Sequence, residues 1–114
     1  MTHHCPACGA EREHVPRYPW HLCNDCRRTA CDCDGTALRA GNESLSGGFV
    51  FSRDGEAWFR APGVLALVRE RPVLLHEARF GGIVAEPWAG RPAPEGYVDL
   101  TRRWPDEGTL DRVR

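Results

Sequence analysis

The chain has 114 residues, 27% of them charged, and its 16 carboxylates against 15 basic side chains leave a formal net charge of −1. Such a length holds one small domain or two very small ones, and the balanced charge gives no overall attraction to a polyanion. The longest apolar run, residues 64–68, falls far short of the roughly 18 residues a membrane span needs, and Met1-Thr2-His3-His4-Cys5 lacks a signal peptide's apolar core, so a cytoplasmic protein without membrane contact is expected.

Leu, Ile, Val and Phe together number only 22, a thin supply for a core, and six cysteines are the natural staple. Residues 1–34 hold every cysteine and the histidines His3, His4, His14 and His21, but few aliphatic side chains, so this stretch does not fold by apolar burial alone. Residues 26–31 admit one short helical turn, since Cys26-Arg27-Arg28-Thr29-Ala30 has no breaker, and Asp34-Gly35 ends it. Residues 45–86 carry most of the Val, Leu and Phe, divided by Ser46-Gly47-Gly48, Asp54-Gly55, Pro62-Gly63 and Gly81-Gly82. Segments 48–52 and 56–60 flank Arg53-Asp54-Gly55, and Asp-Gly favours the positive φ of a tight hairpin. A second hairpin joins 64–68 to 73–80 around Arg69-Glu70-Arg71-Pro72, with Pro72 at a strand's start, where its missing N–H is tolerated. Residues 83–85 make a fifth strand, and no 3.6-residue period is sustained over ten positions. The expected fold is mainly β, an antiparallel sheet of about five strands, with residues 87–114 a Pro- and charge-rich tail, irregular or wrapped around the body.

The sharpest pattern is Cys5-Pro6-Ala7-Cys8-Gly9 followed, after 14 residues, by Cys23-Asn24-Asp25-Cys26. A two-residue spacing lets a tight turn bring two thiolates to one ion, at a zinc–sulfur distance of about 2.3 Å, and glycine after the pair tolerates close backbone approach. Over residues 5–26 the chain resembles the zinc-ribbon class, in which two such knuckles grip one structural zinc. Arg27 stands where a glycine often follows the last cysteine, which leaves the treble clef, with the second knuckle leading into a short helix, as the alternative. Two disulfides are the competing use of Cys5, Cys8, Cys23 and Cys26, but a reducing compartment and paired C-x2-C turns favour metal. A closed four-sulfur site leaves no position for water and so argues for structure, with binding energies of roughly 10 to 16 kcal/mol available to order the segment.

Other chemistry is weaker. Cys31 and Cys33 would share an ion with His14 or His21 only through a bend, because C-x-C in an extended chain spaces the thiols along one face; free thiols are expected. The run Asp32-Cys33-Asp34-Gly35 fails as a calcium loop, since its spacing puts Ala30 and Gly41 at ligand positions. His76 and Glu77 on a strand point to opposite faces, and His76 is expected half-buried and satisfied beside Leu74, Ala78 and Phe80. The polar-Gly stretches 42–49 and 79–83 read as turns or bulges. With no nucleophile-elbow, zincin or phosphate-loop motif, no enzyme is expected; an enzymatic alternative would rest on Cys31, Cys33 or His76.

All 15 basic residues are arginine, as G+C-rich coding favours, and they intersperse with carboxylates as in Glu11-Arg12-Glu13. In Arg17-Tyr18-Pro19-Trp20-His21 the aromatics either cover the metal and sheet or stack on a partner. Arg27 and Arg28 either contact phosphate or neutralise a four-thiolate zinc centre of net charge −2. The expected function is a zinc-stabilised binding module acting through protein contacts, of regulatory or immunity type. The alternative is a nucleic-acid-binding ribbon, with Arg12, Arg17, Tyr18, Trp20, Arg27 and Arg28 as the contact set under either reading.

Overall fold

The computed structural model describes residues 2–13, 15–45, 47–79, 81–89 and 91–113. The fold is mainly β. A short hairpin pairs β1 (Thr2–His4) with β2 (Glu11–Glu13), and a single helical turn, α1 (Asn24–Arg27), follows. Two four-stranded sheets make the body. The first runs β10-β5-β4-β3, from β3 (Leu38–Ser44), β4 (Gly47–Arg53), β5 (Trp58–Arg60) and β10 (Asp111–Arg112). The second runs β8-β7-β6-β9, from β6 (Gly63–Val68), β7 (Arg71–Glu77), β8 (Ile83–Pro87) and β9 (Val98–Asp99), the last parallel to β6.

All five expected strands are present, divided between two sheets instead of forming one, and β3, β9 and β10 are additional. The tail is not simply irregular: two of its segments pair with the sheets, and Leu100 is fully buried. In the first hairpin Asp54 and Gly55 take φ of 44° and 84°, the left-handed pair that the Asp-Gly turn requires. The second is tighter than its sequence suggests. Arg69 and Glu70 alone make the turn, at φ of 50° and 67°, and Pro72 lies within β7 opposite Leu67.

That proline is tolerated for a definite reason. Leu67 directs both backbone groups away from β7, exchanging two 2.9 Å hydrogen bonds with Cys31, so the Leu67–Pro72 pair needs no rung. Leu100 N–H in turn donates to the Leu65 carbonyl, and Cys33 N–H to the Leu100 carbonyl. The outer margin of β6 is thus covered by Cys31 on one stretch and by β9 on the other.

One buried cluster runs from Cys5, Leu22, Cys23, Cys26 and Ala30 through Phe49, Phe51 and Phe59 to Val64, Leu75, Ala85 and Leu100. Phe51 and Phe59 face each other in register with ring centroids 5.8 Å apart, and Trp104 from the tail closes on them at 6.1 and 6.4 Å. The two polar-Gly stretches clamp the sheets together: Gly82 N–H donates to Asn42 Oδ1 at 2.8 Å, and Gly48 N–H to Glu77 Oε2 at 2.7 Å. Ser46 and Phe80, which the sequence places in these stretches and beside His76, lie outside the described residues. Among the described residues no helix is long and apolar enough to cross a membrane.

Candidate metal centre

The connection between β1 and β2 forms the first knuckle. Gly9 N–H donates to the Cys5 carbonyl and Cys5 N–H to the Ala10 carbonyl, both at 2.8 Å, while Ala10 N–H points at Cys8 Sγ, 3.5 Å away. Gly9 sits at φ 78°, and a Cβ there would meet nothing within 4 Å, so its glycine serves the left-handed backbone and not a close approach. The second pair belongs to α1: Cys23 is its N-cap residue and Cys26 lies within its turn. A helical turn at the second knuckle is what the treble-clef alternative expects, while the four-cysteine cluster is zinc-ribbon-like. Leu22, buried just before it, donates its N–H to the Ala85 carbonyl on β8 and so ties the knuckle to the second sheet.

The four sulfurs of Cys5, Cys8, Cys23 and Cys26 lie within 4.8 Å of one another, with Cys8 and Cys23 3.7 Å apart. Four thiolates at about 2.3 Å from a tetrahedral zinc are separated by about 3.8 Å, so the cluster has the size such an ion demands. Cys5, Cys23 and Cys26 are buried and Cys8 is exposed. Cys23 N–H donates to Cys5 Sγ at 3.2 Å.

Their acidities diverge. Burial raises the Cys5 thiol, but N–H donors from Cys23, Cys8 and Ala7 outweigh it and leave Cys5 at about 6 against an ordinary 9.0. Cys23 is also lowered, burial being opposed chiefly by the Cys26 N–H and thiol. Cys26 is pushed up to about 12, by burial and by the three neighbouring sulfurs. Four thiols in so small a space do not all ionise unaided, because each thiolate disfavours the next. A divalent cation removes that obstacle, so the donor set fits a metal of thiolate preference. All six cysteines are free thiols.

Cys31 and Cys33 stand outside the cluster. Both thiols are raised, Cys31 by burial and Asp32, Cys33 by burial and then Asp34 and Asp32, so neither has an enhanced thiolate fraction. Their backbones, as described, hold β6 and Leu100. The anchored residue of C-x-C is Asp32 between them, fully buried, accepting from the N–H groups of Asp34 and Thr36 and pairing with Arg53 Nε at 3.0 Å. The signal was present in Asp32-x-Asp34-Gly35, an Asx-turn composition. His14 lies outside the described residues.

The remaining sequence candidates scatter. Arg12 and Arg28 approach Asp25 at 4.0 and 3.7 Å. Arg17 is exposed, and Trp20 is 68% exposed. Tyr18 instead packs on the sheet, its hydroxyl accepting the Arg79 N–H at 2.9 Å and its ring edge 5.8 Å from His76. His21 packs against His3 with ring centroids 4.3 Å apart and planes tilted by 55°. Arg27 is half-buried, with burial and then Arg28 lowering its guanidinium, and its Nε is shielded without a hydrogen-bond partner. His76 is half-buried and satisfied, 2.8 Å from Glu86 Oε2 and 3.2 Å from the Glu77 carbonyl. Glu86 was not singled out by the sequence; it lies next to the register partner of Val73 on β8, opposite Leu74.

Comparison with protein-family models, with curated proteins and with solved structures finds no match to this chain.

Proposed function

We propose that the four cysteines hold one structural zinc and that the protein is a non-catalytic binding module acting through contacts with a protein partner. The observation that carries the structural role is the continuity of Cys5, Cys23 and Cys26 with the buried cluster that includes Phe51 and Leu100. Four sulfur donors saturate a tetrahedral ion and leave it no place for water, so the metal's work is to order residues 5–26. The non-catalytic reading is supported by the raised thiols of Cys31 and Cys33 and by His76 being held on Glu86.

A docking face is supplied by the loop that projects Val15 and Trp20, both exposed, beside an open groove of about 730 Å³ between residues 15–18 and Ala78, Arg79 and Gly81. An exposed tryptophan on a loop fixed from below by Tyr18 is the kind of rigid aromatic anchor that concentrates binding energy. Two measurements test this. Metal analysis of protein purified without added zinc should give about one zinc per chain. The immobilised zinc-loaded chain should retain a protein from its source cell that Trp20→Ala loses. A chain that purifies folded with no metal bound, and whose unfolding midpoint does not rise on adding zinc, refutes the first part, and recovery of no protein above background refutes the second.

A further inference from the structure

The sequence left Arg27 and Arg28 undecided between phosphate contact and neutralising the metal, and the structure adds two neighbours. Arg27, Arg28, Arg39 and Trp58 line one open groove of about 440 Å³, floored by Ala30, Leu38, Ala40 and Leu75. Among the described residues no carboxylate lines it. Arg28 leans toward Asp25 at 3.7 Å, but Arg27 and Arg39 have no ion-pair partner among the described residues. For Arg39, exposed on β3, solvent suffices. For Arg27 it does not: a half-buried guanidinium with a shielded, unpartnered Nε is a costly arrangement unless an anion completes it.

Trp58 sharpens the chemistry. It is half-buried on β5, and among the described residues no ring or guanidinium lies on its face. The other arginine–tryptophan groove is different. There Arg91 already covers Trp88 at 3.7 Å, and the Trp88 N–H is bonded to the Arg91 and Pro92 carbonyls, so that groove satisfies itself. Arginine forks fit phosphate oxygens bidentately, and an indole lining the same groove can offer a base a stacking surface. The volume is within the range of small-ligand sites.

We infer that the groove between α1 and the β3–β5 face binds a phosphoryl group through Arg27, Arg28 and Arg39, with Trp58 taking an adjoining nucleobase. The source is either a free nucleotide or one strand of nucleic acid. The site is separate from the Trp20 loop and stands whether or not that loop docks a protein.

The test is titration of the zinc-loaded full chain at low salt with inorganic phosphate, a nucleoside monophosphate, a single-stranded octanucleotide and an acidic octapeptide. Binding of the nucleotide or octanucleotide below about 100 µM is expected, tighter than phosphate alone. Arg39→Glu, at an exposed position, should weaken it about tenfold or more, and Trp58→Phe should preserve it better than Trp58→Leu. Equal binding of nucleotide and octanucleotide assigns a free nucleotide; preference for the octanucleotide assigns a strand. The proposal is overturned by no binding, by tighter binding of the acidic peptide, or by affinity indifferent to Arg39→Glu. It is likewise overturned if Arg27→Gln alters zinc retention alone and leaves binding unchanged, since the guanidinium would then serve only the metal.

Discussion

Asp32 and Arg53 form an ion pair across 3.0 Å in which the carboxylate is wholly enclosed and the guanidinium is about a quarter exposed. Arg53 spends its remaining capacity on Asp34 at 3.1 Å and lies over the Trp104 ring at 5.1 Å. The pair therefore joins the segment after α1, the end of β4 and the tail. Removing one partner of such a pair strands a buried charge. Arg53→Met should destabilise the zinc-loaded protein by about 3 kcal/mol in urea unfolding, and Asp32→Asn by less, because the amide oxygen still accepts the Asp34 and Thr36 N–H groups.

Chelation gives a second expectation. The knuckles share a continuous buried cluster with the sheets, yet most of that cluster comes from the strands. Metal removal should lower the unfolding midpoint sharply while circular dichroism retains strand signal, and all four cysteines should become alkylatable.

The pH dependence of the metal-free chain follows from the opposed acidities of Cys5 and Cys26. Cys5 is lowered to about 6 from 9.0, so its contribution is complete above 9.0 and is lost as pH falls through 6. Cys26 is raised to about 12, so its contribution is complete below 9.0 and is lost as pH rises through 12. Unfolding of the chelated protein across pH should therefore show greatest stability near pH 9. A maximum near pH 6 would contradict the assignment of Cys5.

The Arg69-Glu70 turn holds two side-chain-bearing residues in the left-handed region. Asn-Gly suits that geometry, and Arg69→Asn with Glu70→Gly should stabilise by about 1 to 2 kcal/mol, read as a higher thermal midpoint.

Gly63 gives the opposite case. A Cβ there would stand 2.5 Å from the Tyr97 ring and 2.6 Å from the Leu75 carbonyl. Gly63→Ala should cost about 2 kcal/mol or more, and Tyr97→Ala should not rescue it, because the carbonyl belongs to a paired strand and cannot swing away.

The sequence was most legible where local chemistry decides. The Asp-Gly hairpin, the four ligand-spaced cysteines and the satisfied His76 all follow from spacing, φ preference and strand alternation. β3 was invisible because Arg39, Gly41, Asn42 and Glu43 are poor strand formers; its pairing with β4 supplies what propensity does not. The Arg69-Glu70 turn was hidden because neither residue favours it. The grouping of Arg39 and Trp58 with Arg27 depends on two strands meeting beside α1, which no local pattern encodes.

The cover over β6 has a consequence for handling the protein. Gly63–Val68 reads Gly-Val-Leu-Ala-Leu-Val, uncharged and strongly strand-forming, and an open margin on such a strand is a template for aggregation. Cys31 guards one end of that margin and Val98–Asp99 the other, drawn from opposite sides of the chain. Loss of either cover should open that margin and increase self-association, visible by light scattering.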